Sequence, residues 1–161
     1  LYKDKKELKK RENELVIMRS KRNKSTTGNF AKMKGILPWP TSGKIINKFG
    51  LQNNDRFNIV YENIGIDIET RPNAPVFSVL DGFISSITYI IDYGNVIIID
   101  HGGGYYTVYS NVDNILVNEQ EYVNSQHQIA EVTTNHSNSF LLHFEVWGNQ
   151  KKLDPQIWLK K

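Results

Sequence analysis

The chain divides by the period of its apolar positions. Over residues 1–24 (LYKDKKELKKRENELVIMRSKRNK), Leu1, Leu8, Leu15 and Met18 recur at intervals of seven, seven and three, in a stretch without Gly or Pro. That spacing predicts a helix, read either as the last turns of a coiled coil or as a solvated single helix, because the alternate seam positions Asp4 and Arg11 are charged. The helix is expected to stop near Asn23. The small polar residues Ser25, Thr26, Thr27, Gly28 and Asn29 then open a linker over residues 25–35. From Leu37 onward the period becomes two. Strands are predicted at Lys44 to Phe49, Ile64 to Glu69, Val76 to Leu80, Phe83 to Ile90, Asn95 to Asp100, Tyr105 to Ser110, Ile115 to Val117, Gln128 to Val132 and Phe140 to Trp147. Gly43, Gly50, Asp81-Gly82, Tyr93-Gly94 and Gly102 to Gly104 punctuate them, and Leu51 to Asn58 reads as a short polar loop. The pattern predicts an all-β body over residues 36–161, an antiparallel sandwich or open barrel, preceded by a short N-terminal helix.

Composition narrows the function classes. With 161 residues, 39% of them hydrophobic, the chain is long enough to bury a core without staples. It has no cysteine, which excludes thiol catalysis and cysteine-ligated zinc but leaves the compartment open. Apolar runs such as Val96 to Ile99 fall far short of the roughly 20 residues of a membrane helix. A first residue other than methionine, Leu1, reads as the start of a fragment or of a processed chain. The formal charge of +3 conceals a division: residues 1–24 hold ten Lys or Arg and four Asp or Glu, for +6, and the other 137 residues sum to −3. Nucleic-acid binding rests on clustered cations, so the mildly acidic body is not expected to bind nucleic acid.

No generic motif supplies a chemistry. Gly102 to Gly104 lacks the Lys, Ser/Thr and helix pattern of a phosphate loop and reads as a hairpin turn. No serine lies in a G-x-S-x-G elbow. Of the histidines His101, His127, His136 and His143, none is paired at a metal-binding spacing. His143 stands apart because alternation in Leu141-Leu142-His143-Phe144-Glu145-Val146-Trp147 puts Leu141, His143 and Glu145 on one face, opposite the apolar Leu142, Phe144 and Val146.

A set of ordered landmarks then accumulates: Leu37-Pro38-Trp39-Pro40, Gly65-Ile66-Asp67-Ile68, Asp81-Gly82, Asn95 to Gly102, Thr107-Val108-Tyr109-Ser110-Asn111, Leu142-His143-Phe144-Glu145 and Asp154 to Leu159. In this order over Leu37 to Leu159 the chain resembles the lysostaphin/LytM-like zinc endopeptidase domain, which cuts peptide bridges in peptidoglycan. The resemblance implies the antiparallel LytM-like fold, a duplicated hybrid motif. Glu121 to Ala130 departs from the family by lacking its glycines, which puts the turn geometry there in doubt.

Active members of that family carry a metal-binding His four residues before a metal-binding Asp, a catalytic His two residues after the tyrosine of the next motif, and an H-x-H that is catalytic at its first position and a ligand at its second. Here those positions read Asn63, Asp67, Asn111, Leu141 and His143. The remnant ligands Asp67 and His143 fall short of the three that catalytic zinc takes, an Asn carbonyl is a poor substitute for imidazole, and neither Asn111 nor Leu141 can move a proton. No catalytic residue and no zinc are therefore expected, with rescue by His101 or His136 as the competing possibility. The pattern resembles the degenerate EnvC-like murein hydrolase activators. That likeness implies a groove of Asn63, Asp67, Asn111, Leu141 and His143 that docks a helix of an N-acetylmuramoyl-L-alanine amidase and activates it for septal splitting in the periplasm. It implies as further partners a membrane division complex, reached through an upstream coil, and peptidoglycan itself. The alternatives are a zinc endopeptidase with atypical ligands and a cell-wall binding module.

Overall fold

A computed structural model describes residues 29–54 and 56–161; the helix expected over residues 1–24 lies outside them. The chain enters through helix α1 (Asn29–Lys32), whose Phe30 is fully buried. The Phe30 ring packs 5.0 Å from Tyr105, 5.2 Å from Trp158 and 4.9 Å from His101, centroid to centroid. Residues 29–35 are thus not the linker that their polar neighbours suggested. One large aromatic side chain with a buried seat fixes them against the body.

Twelve strands follow among the described residues: β1 (Lys44–Asn47), β2 (Gly50–Asn54), β3 (Ile59–Asn63), β4 (Ile66–Glu69), β5 (Pro75–Phe77), β6 (Gly82–Ile90), β7 (Gly94–Gly102), β8 (Tyr105–Asp113), β9 (Tyr122–Val123), β10 (Gln128–Val132), β11 (Leu141–Gly148) and β12 (Lys151–Leu153). Ten form one sheet in the order β1-β4-β11-β8-β7-β6-β9, with β10 bridging β5 and β8 and β12 lying against β11. The ladders are antiparallel, and the sheet coils without closing, as the all-β reading expected. The core is the inward row of that sheet, with Ile66, Ile68, Ile97, Ile99, Tyr109, Leu142, Phe144 and Val146 among the residues closed to solvent. Burying each such side chain contributes about 1.5–3 kcal/mol.

The two ends of the body are stitched together. Leu37 bridges Leu159, and the Trp39 indole donates to Lys160 O at 2.9 Å. Helix α2 (Pro155–Trp158) starts on Asp154, whose carboxylate accepts from Gln156 N–H, with Pro155 occupying the position where its missing N–H costs nothing. This explains why the Asp-Pro and Trp-Leu landmarks sit where they do.

Two expectations are corrected. Leu51 to Asn58 is not loop throughout: Leu51 to Asn54 belongs to β2, which pairs with β3 from Gly50 opposite Asn63 to Asn54 opposite Ile59 in a hairpin apart from the main sheet, and among its described residues only 56–58 form a turn. The hairpin's β2 half is polar and its β3 half is exposed from Ile59 to Glu62, so neither shows the alternation that marks a half-buried strand. Conversely, Ile115 to Val117 is not a strand. It is extended chain tied to β10 by Leu116 N–H donating to Ile129 O, with Val117 buried as an isolated core contact.

Candidate functional site

The site is built at the sheet's fork. Strand β8 pairs with β11 as far as Ser110 opposite His143, then leaves it and pairs with β10 from Val112 opposite Val132. Asn111 is the extra residue at this switch, bulged between Ser110 and Val112 against β7, with φ of +68°. Few non-glycine side chains tolerate that left-handed conformation, and Asn and His are among those that do. The Asn111 amide then serves both branches, with Nδ2 donating to Thr133 O at 2.9 Å and to Leu141 O at 2.7 Å.

On β4 and β11, Asp67 and His143 are register partners. His143 Nδ1 lies 2.8 Å from Asp67 Oδ1, and Nε2 lies 3.0 Å from Glu145 Oε2. Because both nitrogens face carboxylates, both must donate, which makes the ring an imidazolium. Burial alone would lower its pKa, but the hydrogen bonds to Asp67 and Glu145 win and raise it to about 9. Asp67 Oδ2 also accepts from Asn47 Nδ2 at 2.9 Å, and Glu145 Oε1 accepts from the Trp147 indole at 2.8 Å. Strand alternation was read correctly for His143 and Leu141, which line the groove. Glu145 instead lies buried beneath His143.

Two glycines make the geometry possible. A Cβ on Gly65 would lie 2.3 Å from Phe144 O and 2.8 Å from Glu145 Cγ, so the chain entering β4 can cross β11 only without a side chain. Gly94 takes φ of +74° after the turn in which Tyr93 N–H donates to Ile90 O. That turn swings the Tyr93 ring over His143 at 5.1 Å, an aromatic face on a cation. Burial, then the carboxylates of Glu145, Asp67 and Asp92, push the Tyr93 phenol upward, so it stays neutral. Sequence reading took Tyr93 as turn punctuation and missed it. The available signal was a large aromatic immediately before a turn glycine.

Asn63, Asp67, Asn111, Leu141 and His143 line one groove of about 630 Å³, walled by the β2–β3 hairpin on one side and the β6–β7 turn on the other. His136 also lines it, at the rim, while His101 does not. His101 is fully buried, its Nδ1 at 2.9 Å from Asp81 O and its Nε2 at 2.7 Å from Thr107 Oγ1. Burial lowers its pKa to about 4, so the neutral ring donates from Nδ1 to the carbonyl and accepts the threonine proton at Nε2. Thr107 Oγ1 and Tyr109 Oη, 2.9 Å apart, continue this internal chain to Val79 N–H, which donates to Tyr109 Oη. It ties β7 and β8 to the segment that leads into β6.

The donor set does not suit catalytic zinc, which takes three protein ligands and keeps one position for water. Asn63 is buried with both ends of its amide on backbone, Nδ2 donating to Lys48 O and Oδ1 accepting from Gly65 N–H. What remains is Asp67 and a histidine with both nitrogens engaged by carboxylates. Among the described residues, no group of three or more His, Cys, Asp or Glu is placed to hold a metal ion.

Comparison with known proteins agrees with this architecture. Residues 61–155 match the family described as Peptidase family M23. The chain is 32% identical over 138 residues to the murein hydrolase activator NlpD of Salmonella dublin, a match covering 85% of this chain and 34% of that protein. It is 29% identical over 140 residues to the cell division protein DipM of Caulobacter vibrioides, covering 82% of this chain and 22% of that one. Among solved structures it is similar to a zinc-containing peptidase from Vibrio cholerae, at a TM-score of 0.67 and 26% identity over 76% of this chain and 40% of that one. The chain spans about a third of the length of the NlpD proteins it matches. The match runs from within β3 to the start of α2, over the strands that carry Asn63, Asp67, Asn111, Leu141 and His143, and the chain belongs to peptidase family M23.

Proposed function

We propose that this chain is a non-catalytic murein hydrolase activator, which binds an N-acetylmuramoyl-L-alanine amidase in the groove and switches it on for septal peptidoglycan splitting. The observation that carries this reading is the state of positions 111 and 141. The first spends its amide on two backbone carbonyls, and the second is a leucine. Neither can take or give a proton, and His143 holds both of its protons toward carboxylates, so none of positions 111, 141 and 143 offers a base to activate water. Asn63 supplies no third ligand, and the activity is taken to need no zinc. The naming of NlpD as a murein hydrolase activator and of DipM as a cell division protein supports the same class.

On this reading the unit that binds the amidase is the β body of residues 36–161, with residues 29–35 packed onto it. Asn63, Asp67, Asn111, Leu141 and His143 form its contact floor. Murein lies outside the cytoplasmic membrane, so the chain works in the cell envelope. None of the described helices is long and apolar enough to cross a membrane.

The test adds the purified chain to a candidate amidase acting on dye-labelled murein. Saturable stimulation, with no dye released by the chain alone, is the expected result. Dye release by the chain alone, or an amidase rate unchanged at saturating concentration, would overturn the reading.

A further inference from the structure

The walls of the groove have a chemistry that its floor does not share. The β2–β3 hairpin brings Tyr61 and Glu62 to one wall, and the β6–β7 turn brings Tyr89, Ile91 and Asp92 to the other. The apolar members are held out in water, Tyr89 at 67% and Ile91 at 79% exposure. The arm of one hairpin and the turn of another, presenting aromatic or branched side chains across a groove, form an apolar surface that solvent alone does not explain. The hairpin β2–β3 has exposed apolar residues on both faces, Ile59, Val60 and Tyr61 in succession, and a two-stranded ribbon of this kind is marginal without a partner.

Charge narrows what fits. Among the described residues, the carboxylates lining the groove are Glu62, Asp67, Asp92 and Asp113, and no Lys or Arg lines it. Asp67 and buried Glu145 share the one imidazolium of His143, leaving that cluster with one net negative charge. Glu62, Asp92 and Asp113 are exposed at the rim and make no ion pair with a described residue. An acidic rim around apolar walls excludes an acidic ligand and favours cations placed on either side of an apolar stripe. A helical segment, about 10–12 Å across with its side chains, carries such an arrangement on one face.

We propose that the groove's occupant is an amphipathic, cationic segment of the partner protein, with its apolar stripe against Tyr61, Tyr89 and Ile91 and its Lys or Arg side chains against Glu62, Asp92 and Asp113. This rests on the reading of the groove as a protein-docking site and specifies what docks there. Opposite charge on the rim steers the segment in and makes the encounter sensitive to salt.

The experiment measures fluorescence anisotropy of three labelled helical peptides against the full chain. One combines leucine and lysine at amphipathic spacing, the second replaces lysine by glutamate, and the third replaces leucine by serine. The leucine–lysine peptide is expected to bind at least about tenfold more tightly than either other, to weaken as salt rises, and to lose at least about tenfold in affinity to the triple variant Glu62→Gln, Asp92→Asn, Asp113→Asn. An unchanged melting temperature would show that the triple variant is folded. Equal binding of the three peptides, or undiminished binding to the folded triple variant, would overturn the proposal. So would concentration-dependent self-association abolished by the triple variant, which would make a second copy the occupant. The amidase assay separates the two readings. Stimulation that survives the triple variant retains the activator and removes the cationic segment, whereas peptide selectivity with no stimulation of any amidase does the reverse.

Discussion

The side-chain amide of Asn111 donates across 2.7 Å to the backbone carbonyl of Leu141, so the two positions at which active relatives are expected to carry catalytic histidines are fastened to one another. The same nitrogen holds Thr133 O, and the residue sits in a left-handed conformation at the fork between β10 and β11. A group so placed serves the shape of the groove rather than chemistry within it.

Removing that amide should therefore be felt as stability. Asn111→Ala deletes donors to two carbonyls and puts a less tolerant residue at positive φ, for an expected loss of about 2–3 kcal/mol in urea unfolding. Asn111→Gly loses the same donors but not the backbone tolerance, and should recover about 1 kcal/mol of that. Equal stabilities for the two variants would show that the left-handed backbone contributes nothing.

Gly65 gives a sharper case. Gly65→Ala drives a methyl group into Phe144 O and the Glu145 side chain, neither of which can yield without displacing β11. An expected loss of about 3 kcal/mol or more should appear in the same unfolding measurement, with the Asp67–His143 pairing disturbed.

The buried histidines set the pH dependence, in opposite senses. His101 has its folded pKa depressed from 6.5 to about 4, so its contribution is present above 6.5 and is lost as pH falls toward 4. His143, raised to about 9, contributes fully below 6.5 and loses that contribution as pH rises through 9. His101→Gln removes the contribution of His101 alone. The stability of the wild type relative to this variant should fall by about 2 kcal/mol between pH 7.5 and pH 5, and a flat difference would show that His101 titrates normally.

Metal binding follows from the donor count. Purified chain should carry zinc well below one equivalent, with a melting temperature unmoved by EDTA. Asn63→His supplies a third donor beside Asp67 and His143 and should raise zinc affinity by about tenfold or more. Stoichiometric zinc that resists chelation in the wild type would show that a different ligand set exists.

Leu141→Glu probes the groove as a contact surface. Leu141 is half-buried at the groove floor and reaches no closed core position, so the fold should survive. On the proposed function, losing this apolar contact and burying a carboxylate against the partner should weaken amidase stimulation by about tenfold or more, read as the concentration giving half-maximal effect. An unchanged value would remove position 141 from the interface.

The long central strands were legible because their alternation is driven by burial on one face; β6, β7, β8 and β11 fall within a few residues of where the period puts them. Strands β9 and β12 were not legible, being only two and three residues long and held by register with longer neighbours. The β2–β3 hairpin was lost because its side chains are exposed on both faces and leave no alternation. The likeness to the family's motifs singled out Asn63, Asp67, Asn111, Leu141 and His143, and all five line one groove. The bulge, the amide bridge and the Tyr93 cover depend on strand partners far away in sequence, which no local pattern carries. Phe30 was misread for a related reason, since its burial is decided by Tyr105 and Trp158.

The seat of Phe30 against Trp158 has a mechanical consequence. Strand β7 runs from Gly94 at the groove to the neighbourhood of His101, beneath Phe30, a distance of about 25 Å at the usual rise of an extended chain. Residue 29 and residue 161 therefore leave the body at the pole remote from the groove mouth. A pull on either of these residues loads the α1–α2 clasp of Phe30 on Trp158, at the opposite end of β7 from the groove.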